Sequence, residues 1–158
     1  MSKVKIDYPQ DKDIDALLKL EKACFKSDQL SRPQLRYLIN QAKSTDIFIV
    51  KKKSSIIAYA IILFRKNSTI ARLYSIAVDP NCQRSGIARL IYQHIERFIT
   101  KQYCTEVRLE VRRDNHRAIR FYQRNGYLKF DEYKKYYEDG QDALRMRKVL
   151  KPHGIEIN

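Results

Sequence analysis

Tryptophan is absent from the 158-residue sequence, and cysteine occurs only three times, at Cys24, Cys82 and Cys104. An odd number of cysteines without metal-ligand spacing argues against a disulfide framework and against a zinc site. None of them forms a recognisable nucleophile motif with a histidine, so we expect all three to be structural. The three histidines lack metal-ligand spacing as well, so we expect no bound metal. This composition favours a reducing, cytoplasmic environment.

Long apolar runs are also missing. No stretch approaches the roughly 20 residues that a membrane-spanning helix needs, and the beginning of the chain, Met1–Lys5, lacks the apolar segment of a signal peptide. The length fits one domain, which we expect over residues 1–150, followed by a tail at 151–158. We therefore expect a cytoplasmic protein without a membrane partner.

Acidic residues are few beside the basic ones: 18 Asp and Glu against 32 Lys and Arg, which gives a formal net charge of +14 at pH 7. Such a charge attracts polyanions, and RNA, the ribosome, acidic peptides or the phosphates of a cofactor would all satisfy it. The basic residues are spread along the chain, however, and a solvated basic surface explains them equally well. The charge alone therefore does not establish an association with RNA.

What the sequence does contain is a regular succession of strand and helix signals. Apolar and β-branched runs predict strands at 4–8, 47–50 and 56–64, and helical spacing predicts a helix at 11–25 and a second one that begins at a Ser31 cap. Over the whole chain the predicted order is βααββββαβαββ. This order predicts an α/β (α+β) fold with one mixed sheet and helices on both faces.

The rest of the chain is organised around residues 73–99, where an apolar strand leads through a short polar turn into a helix. The strand, Leu73–Val78, is ended by Asp79-Pro80, and Gly86 stands where the helix begins. Backbone N–H groups at a helix start point to one place, and the helix dipole adds positive potential there. The turn is therefore suited to bind an anion, best a phosphate group.

A second unit of strand and helix follows. Residues 106–112 alternate between apolar and charged side chains, which predicts a strand with one polar face. Asn115 is a suitable cap for a helix at 118–124. The segments 127–137 and 143–150 then predict a closing antiparallel pair.

Two motifs in these units resemble the signature of the GNAT acetyltransferase family. Gln83-x-x-Gly86-x-Ala88 resembles the family's Q/R-x-x-G-x-G/A turn. The run Leu109-Glu110-Val111-Arg112, with Asn115 and then A-I-x-x-Y-x-x-x-G-Y from Ala118, resembles the strand and helix that follow it. The likeness covers residues 45–148 well and is greatest to the ribosomal-protein alanine N-acetyltransferases. It implies a GNAT-like, mostly antiparallel sheet that is splayed at the cofactor site, with acetyl-coenzyme A as the acyl donor.

The resemblance also implies which residues bind that donor. The turn would hold the pyrophosphate, backbone groups of the preceding strand would bond the pantetheine arm, and Asn115 would cap its helix and bind a pantetheine amide. The implied donor-binding residues are Ile76, Ala77, Val78, Gln83, Arg84, Ser85, Gly86, Ile87, Ala88, Arg89 and Asn115.

Acetyl transfer needs one group that accepts a proton from the amine and one that supplies a proton to the leaving thiolate. Alternation alone makes Glu110 a surface carboxylate paired with Arg108 or Arg112, and helical spacing alone makes Tyr122 a core aromatic. The resemblance instead implies that Glu110 accepts the proton and that Tyr122 donates one. Flanked by two arginines, Glu110 would be a weak base, which suits an α-amine better than a lysine amine.

The acceptor half of the chain departs from the family. Tyr133, Tyr136 and Tyr137, which we expect on the last strands, would line the acceptor groove by resemblance, or else pack within the hairpin. The alanine acetyltransferases usually carry a Pro-Trp-Ser-like stretch after the first helix, whereas Cys24–Ser31 stands there in this chain.

The leading interpretation is an acetyl-coenzyme A-dependent N-acetyltransferase that acts directly on a bound amine. A protein or peptide α-amine is the expected acceptor, and a ribosomal one fits the resemblance. One alternative is a small-molecule amine acetyltransferase, although a basic protein should repel polyamines. The other is a non-catalytic acyl-CoA-binding or RNA-associated module.

Overall fold

Seven strands and four α-helices follow one another along residues 3–151, the part of the chain that this computed structural model describes. They are β1 (Val4–Asp7), α1 (Ile14–Cys24), α2 (Arg32–Asn40), β2 (Thr45–Lys52), β3 (Ser55–Phe64), β4 (Ile70–Val78), α3 (Ile87–Lys101), β5 (Glu106–Arg112), α4 (His116–Arg124), β6 (Leu128–Tyr133) and β7 (Ala143–Val149). Of the predicted tail at 151–158, residues 152–158 lie outside the described residues.

The predicted order counted four strands between α2 and α3 but left the division of the third to fifth strands open, and the structure has three strands there. Only two polar turns, at 53–54 and 65–69, interrupt this part of the chain, so its apolar runs form longer strands. The predicted caps are confirmed. Ser31 caps α2, with its hydroxyl accepting from the N–H of Gln34, and the side chain of Asn115 caps α4 by accepting from the N–H of Ala118.

The strands form one sheet in the order β1-β2-β3-β4-β5-β7-β6. Neighbouring strands are antiparallel except β4 and β5, which are parallel. This pair is short, since it runs only from Ile70 opposite Glu106 to Arg72 opposite Arg108. Beyond Arg72, β4 continues to Val78 beside β3 alone. The sheet is therefore mixed, mostly antiparallel and splayed in its middle, as predicted.

Helices cover both faces of the sheet, which confirms the predicted layers. On one face the buried side of α3, with Ile91 and Ile95, packs over the middle of the sheet. On the other face Leu17 of α1 and Leu35 of α2 pack on β2, β3 and β4. Helices α1 and α2 do not extend over β7 and β6, so the polar side of β5 faces an open cleft beside them.

Candidate active site

The turn between β4 and α3 has the conformation of an anion site. Gly86 is the N-cap of α3 and has a φ of +85°, a left-handed conformation that side chains rarely adopt. An added Cβ there would meet nothing within 4 Å, so the requirement for glycine is conformational. Gly86, Arg84 and Ser85 are exposed, and the first turn of α3 carries no acidic residue. The start of α3 is therefore exposed, and no carboxylate in its first turn offsets the positive end of the helix dipole.

The other predicted residues of the turn hold it in place. Ile87 is buried in the core between α3 and the sheet, whereas Arg89 is exposed and Ala88 is half-buried. The side chain of Gln83 donates to the carbonyl of Val78 at 3.3 Å and accepts from Arg117 of α4. Gln83 therefore ties the turn both to the end of β4 and to α4.

The end of β4 offers backbone groups along the splay. Ile76, Ala77 and Val78 pair with Ala60, Tyr59 and Ala58 of β3 on one edge and lack a β5 partner on the other. The carbonyl of Val78 already accepts from the Cys24 thiol and from Gln83, each at 3.3 Å.

A cleft of about 570 Å³ opens between the α1–α2 segment, the diverging strands and the loop that joins β6 to β7. It brings together most of the residues that the sequence singled out away from the turn. The predicted residues that line it are Ile76, Glu110, Asn115, Tyr122, Tyr136 and Tyr137. A separate hollow of about 420 Å³ beside α2 is mainly apolar and contains none of them.

Glu110 lies on the polar face of β5 with only 8% of its side chain exposed. Its ion-pair partner is Arg72 of β4, not Arg108 or Arg112 as alternation suggested. Arg108 instead contacts Glu106 on the same strand. The parallel register places Arg72 beside Arg108 on this face, and from there its guanidinium reaches Glu110.

Arg112, the other expected partner of Glu110, serves a different part of the cleft. Its guanidinium pairs with Asp139 at 2.5 Å and with Asp114 at 3.2 Å, and it also donates to the Ser27 hydroxyl at 3.0 Å. Arg112 therefore joins the β6–β7 loop to the α1–α2 segment. The backbone N–H of Glu138 adds a second link by donating to Asp28.

Tyr122 projects from α4, and its ring packs edge-on against Phe121 and Tyr127 at 5.6 Å. Burial raises its pKa well above the usual value of 10, so the phenol stays protonated at neutral pH. Its hydroxyl has no hydrogen-bond partner among residues 3–151, whereas the hydroxyl of Tyr127 bonds to that of Tyr92 at 3.0 Å. Tyr122 therefore faces the cleft with an unused donor.

Of the three tyrosines predicted on the last strands, two line the cleft and the third packs against one of them. The strand predicted over 127–137 is shorter in the structure: β6 runs from Leu128 to Tyr133, and Tyr136 and Tyr137 lie in the following loop. Tyr136 and Tyr137 line the cleft, and Arg72 donates to the hydroxyl of Tyr136 at 3.1 Å. Tyr133 is outside the lining and stacks on Tyr136 at 5.3 Å.

Sequence reasoning missed other residues of the cleft, among them Arg72, Tyr74 and Glu21. Arg72 could not be found from local patterns, since its role depends on strand register. Tyr74 is the extra residue of a β-bulge, where β3 shifts its register between Ile61 and Ile62. Glu21 had a readable signal, because it stands at helical spacing on the buried side of α1 with Leu17.

Comparison with protein-family models matches residues 14–127 to the acetyltransferase (GNAT) family. The chain belongs to this family. It is a GNAT N-acetyltransferase, and the family uses acetyl-coenzyme A as acyl donor. Each helix in residues 3–151 is too short or too polar to span a lipid bilayer. The same residues contain no group of three or more His, Cys, Asp and Glu side chains arranged to hold a metal ion.

Two relatives from prokaryotes illustrate the likeness of this GNAT protein in sequence. An uncharacterized N-acetyltransferase of Methanocaldococcus jannaschii is 30% identical over 138 residues, which cover 87% of this chain and 86% of that protein. The ribosomal protein bS18-alanine N-acetyltransferase of Escherichia coli K12 is 37% identical over 79 residues, which cover 48% of this chain and 53% of that protein.

Solved structures share the fold over nearly the whole chain. The ribosomal-protein-S18-alanine N-acetyltransferase of Escherichia coli superposes with a TM-score of 0.82 and 24% identity, covering 98% of this chain and all (100%) of that one. Ard1 of Thermoplasma volcanium gives a TM-score of 0.83 and 25% identity, covering 94% of this chain and 98% of that one. A PaiA N-acetyltransferase of Thermoplasma acidophilum, solved in complex with coenzyme A, gives 0.80 and 18%.

Proposed function

We propose that this GNAT protein transfers an acetyl group from acetyl-coenzyme A to the N-terminal α-amine of a protein or peptide. The observation that carries the proposal is the cleft that Glu110 and Tyr122 both line. These side chains come from a strand and a helix that the splayed sheet brings to one place. One is a carboxylate that can accept a proton, and the other is a protonated phenol that can donate one.

The donor would bind across the turn and the edge of β4. Backbone N–H groups of the turn and the start of α3, from Arg84 to Arg89, would hold the diphosphate. Gln83 would keep the turn in place through its hydrogen bond to the carbonyl of Val78. Backbone groups of Ile76–Val78 would bond the pantetheine arm, and an N–H there would donate to the oxygen that gains negative charge during the reaction. Asn115 would receive a pantetheine amide beside Tyr122.

The reaction proceeds by direct attack. The neutral amine forms a bond to the thioester carbonyl carbon as the carbon–sulfur bond breaks, and coenzyme A leaves as the thiolate. The proton that the amine loses passes to Glu110, and Tyr122 supplies the proton that the thiolate takes up. The guanidinium of Arg72 contacts the carboxylate of Glu110 and holds it in the cleft. Arg72 thus takes the place beside Glu110 that sequence reasoning gave to Arg108 and Arg112.

Three features support a protein N-terminus as acceptor. Relatives that share about half of this chain are a ribosomal protein bS18-alanine N-acetyltransferase and an N-alpha-acetyltransferase of Saccharolobus solfataricus. Aromatic side chains of Tyr136 and Tyr137 line the cleft and can pack against a peptide. The net charge of +14 would draw the enzyme toward a ribosome carrying such an acceptor.

The proposed place of action is the cytoplasm. Cys24, Cys82 and Cys104 are free thiols, which fits a reducing compartment.

An acetylation assay on a peptide array tests the proposal. Purified protein with acetyl-coenzyme A is expected to modify N-terminal amines and not lysine side chains, as read by mass spectrometry. Transfer to spermidine or other small amines, with none to peptides, would favour the small-molecule alternative. Binding of coenzyme A without turnover of any amine would indicate a non-catalytic module, and salt-dependent RNA retention would then identify its partner.

A further inference from the structure

The acceptor cleft contains a second buried carboxylate, which the proposed reaction does not use. Glu21 lies in the last turns of α1, lines the cleft and is only 3% exposed. Its carboxylate accepts a hydrogen bond of 2.8 Å from the backbone N–H of Leu30, at the approach to α2. It belongs to the wall built by α1 and the segment that leads to α2, whereas Glu110 belongs to the wall built by the sheet.

Glu21 differs from the other buried acid of the cleft in having no cation beside it. Glu110 contacts Arg72, but Glu21 forms no ion pair within residues 3–151. The arginines of the cleft are engaged elsewhere, Arg72 with Glu110 and Arg112 with two aspartates. Lys26 also lines the cleft, but it is exposed and makes no ion pair with Glu21.

An unpaired carboxylate in such a position is unfavourable for folding. Burial raises the pKa of Glu21, and the one backbone hydrogen bond only partly offsets this effect. The groups that interact with it among residues 3–151 supply no positive charge: they are the phenol of Tyr74, the thiol of Cys24 and the backbone N–H of Leu30. A cationic group that entered the cleft would therefore find an acid whose charge is still unbalanced.

The reacting amine itself is a poor partner for Glu21. An ion pair stabilises an ammonium group, and an ammonium group has no lone pair with which to attack. A carboxylate suited to hold a cation is better matched to a group that stays charged throughout the reaction. A lysine or arginine side chain next to the reacting α-amine is such a group.

We propose that Glu21 is a specificity residue that binds a lysine or arginine side chain in the first two residues of the acceptor. This inference rests on the proposed function, because it concerns the same cleft and the same reaction. It makes the preferred acceptor a peptide with a basic residue at its beginning, held between Glu21 on one wall and Glu110 with Tyr122 on the other.

The test compares wild-type protein with Glu21→Gln. Glutamine keeps an oxygen that can accept from Leu30, so the link between α1 and α2 is retained while the charge is lost. Acceptors are peptides that differ only in having Lys, Gln or Glu at the first or the second residue. For wild-type protein we expect kcat/KM to be about 10-fold higher for a Lys peptide than for its Gln counterpart, the size of one partly buried ion pair.

In Glu21→Gln this preference should disappear through a higher KM for the Lys peptide, with kcat for the Gln peptide unchanged within about twofold. If Glu21 only stabilised the segment between α1 and α2, its replacement would lower the rates of acetylation of all peptides to the same extent. The inference is overturned if wild-type protein shows no preference for Lys at either position, or if the preference survives in Glu21→Gln.

A direct measurement of peptide binding distinguishes a failure of this inference from a failure of the proposed function. Labelled, non-acetylated Lys and Gln peptides are titrated into both proteins in the presence of coenzyme A, and fluorescence anisotropy is recorded. If no peptide is acetylated, the proposed function fails. The Glu21 site is still supported by tighter binding of the Lys peptide that is lost in Glu21→Gln, and it is excluded by equal binding.

Discussion

Arg72 and Glu110 form an ion pair at the point where β4 and β5 separate. Arg72 is the last residue of β4 that pairs with β5, and its guanidinium also donates to the hydroxyl of Tyr136 at 3.1 Å. One arginine thus connects the candidate base to the loop that lines the acceptor cleft. The contact fixes the direction of the Glu110 carboxylate.

Replacing Glu110 with glutamine removes the group that is proposed to accept the proton. We expect kcat to fall about 10²- to 10⁴-fold, the usual contribution of a general base, while affinity for coenzyme A stays the same. The measurement is release of free thiol under saturating acetyl-coenzyme A. Full turnover of Glu110→Gln from pH 6 to 9 would exclude this role.

Glu106 provides a matched control for Glu110. It lies on the same strand and the same face, and it also contacts an arginine, Arg108. Glu106 does not line the cleft. Glu106→Gln therefore removes a partly buried ion pair outside the cleft, and kcat is expected to stay within about twofold of wild type.

Local sequence signals were sufficient for the elements that carry the candidate residues. Alternation predicted β5 over 106–112, where the structure has it, and Asn115 caps the following helix as expected. These signals act between residues that are close in the chain, such as a cap and the N–H groups next to it. The turn at Gly86 was likewise predictable, because few residues other than glycine adopt its φ.

Features that depend on the pairing of distant segments could not be predicted. The partner of Glu110 lies on another strand, and the register of a short parallel pair leaves no local pattern. The predicted strand through Tyr137 ends at Tyr133 because Lys135 has a φ of +50° and donates its N–H to Asp142. This loop is what brings Tyr136 and Tyr137 to the cleft.

Tyr122→Phe tests the proposed acid. We expect kcat to fall about 10²-fold or more, with stability within about 0.5 kcal/mol of wild type, because the lost hydroxyl has no partner in residues 3–151. The raised pKa of Tyr122 also predicts that its proton is retained at alkaline pH. Wild-type turnover should therefore not decline between pH 8 and about 10 through ionisation of this group.

Tyr127→Phe is the control for Tyr122, since the two rings are in contact and only one hydroxyl is hydrogen-bonded. Losing the bond to Tyr92 should reduce stability by about 1–3 kcal/mol because the hydroxyl of Tyr92 stays buried. Turnover should be retained. Denaturant unfolding and thiol release together separate the two variants, and equal loss of activity in both would argue that Tyr122 only packs.

Gly86→Ala tests the donor turn. A φ of +85° costs a non-glycine residue about 1–2 kcal/mol, so the turn should relax and its N–H groups should lose their alignment. We expect the KM for acetyl-coenzyme A to rise about 10-fold, the effect of losing about 1.4 kcal/mol of binding. Gly140→Ala is the matched control, with a φ of +86° and open space around it, but in the β6–β7 loop. It should affect stability similarly and leave the KM for acetyl-coenzyme A unchanged.

Glu21→Gln should make the protein more stable although it impairs acceptor selection. Burial raises the pKa of Glu21 in the folded protein, so its ionisation favours the unfolded chain. The penalty is absent below the unfolded pKa of about 4.3, grows as the pH rises toward the raised value and is complete above it. The melting temperature of Glu21→Gln should therefore exceed that of wild type by about 2 °C or more at pH 7, and the two should converge near pH 4. Calorimetry at both pH values measures the difference, and a lower melting temperature at pH 7 would mean that the carboxylate stabilises the fold and needs no cation from the acceptor.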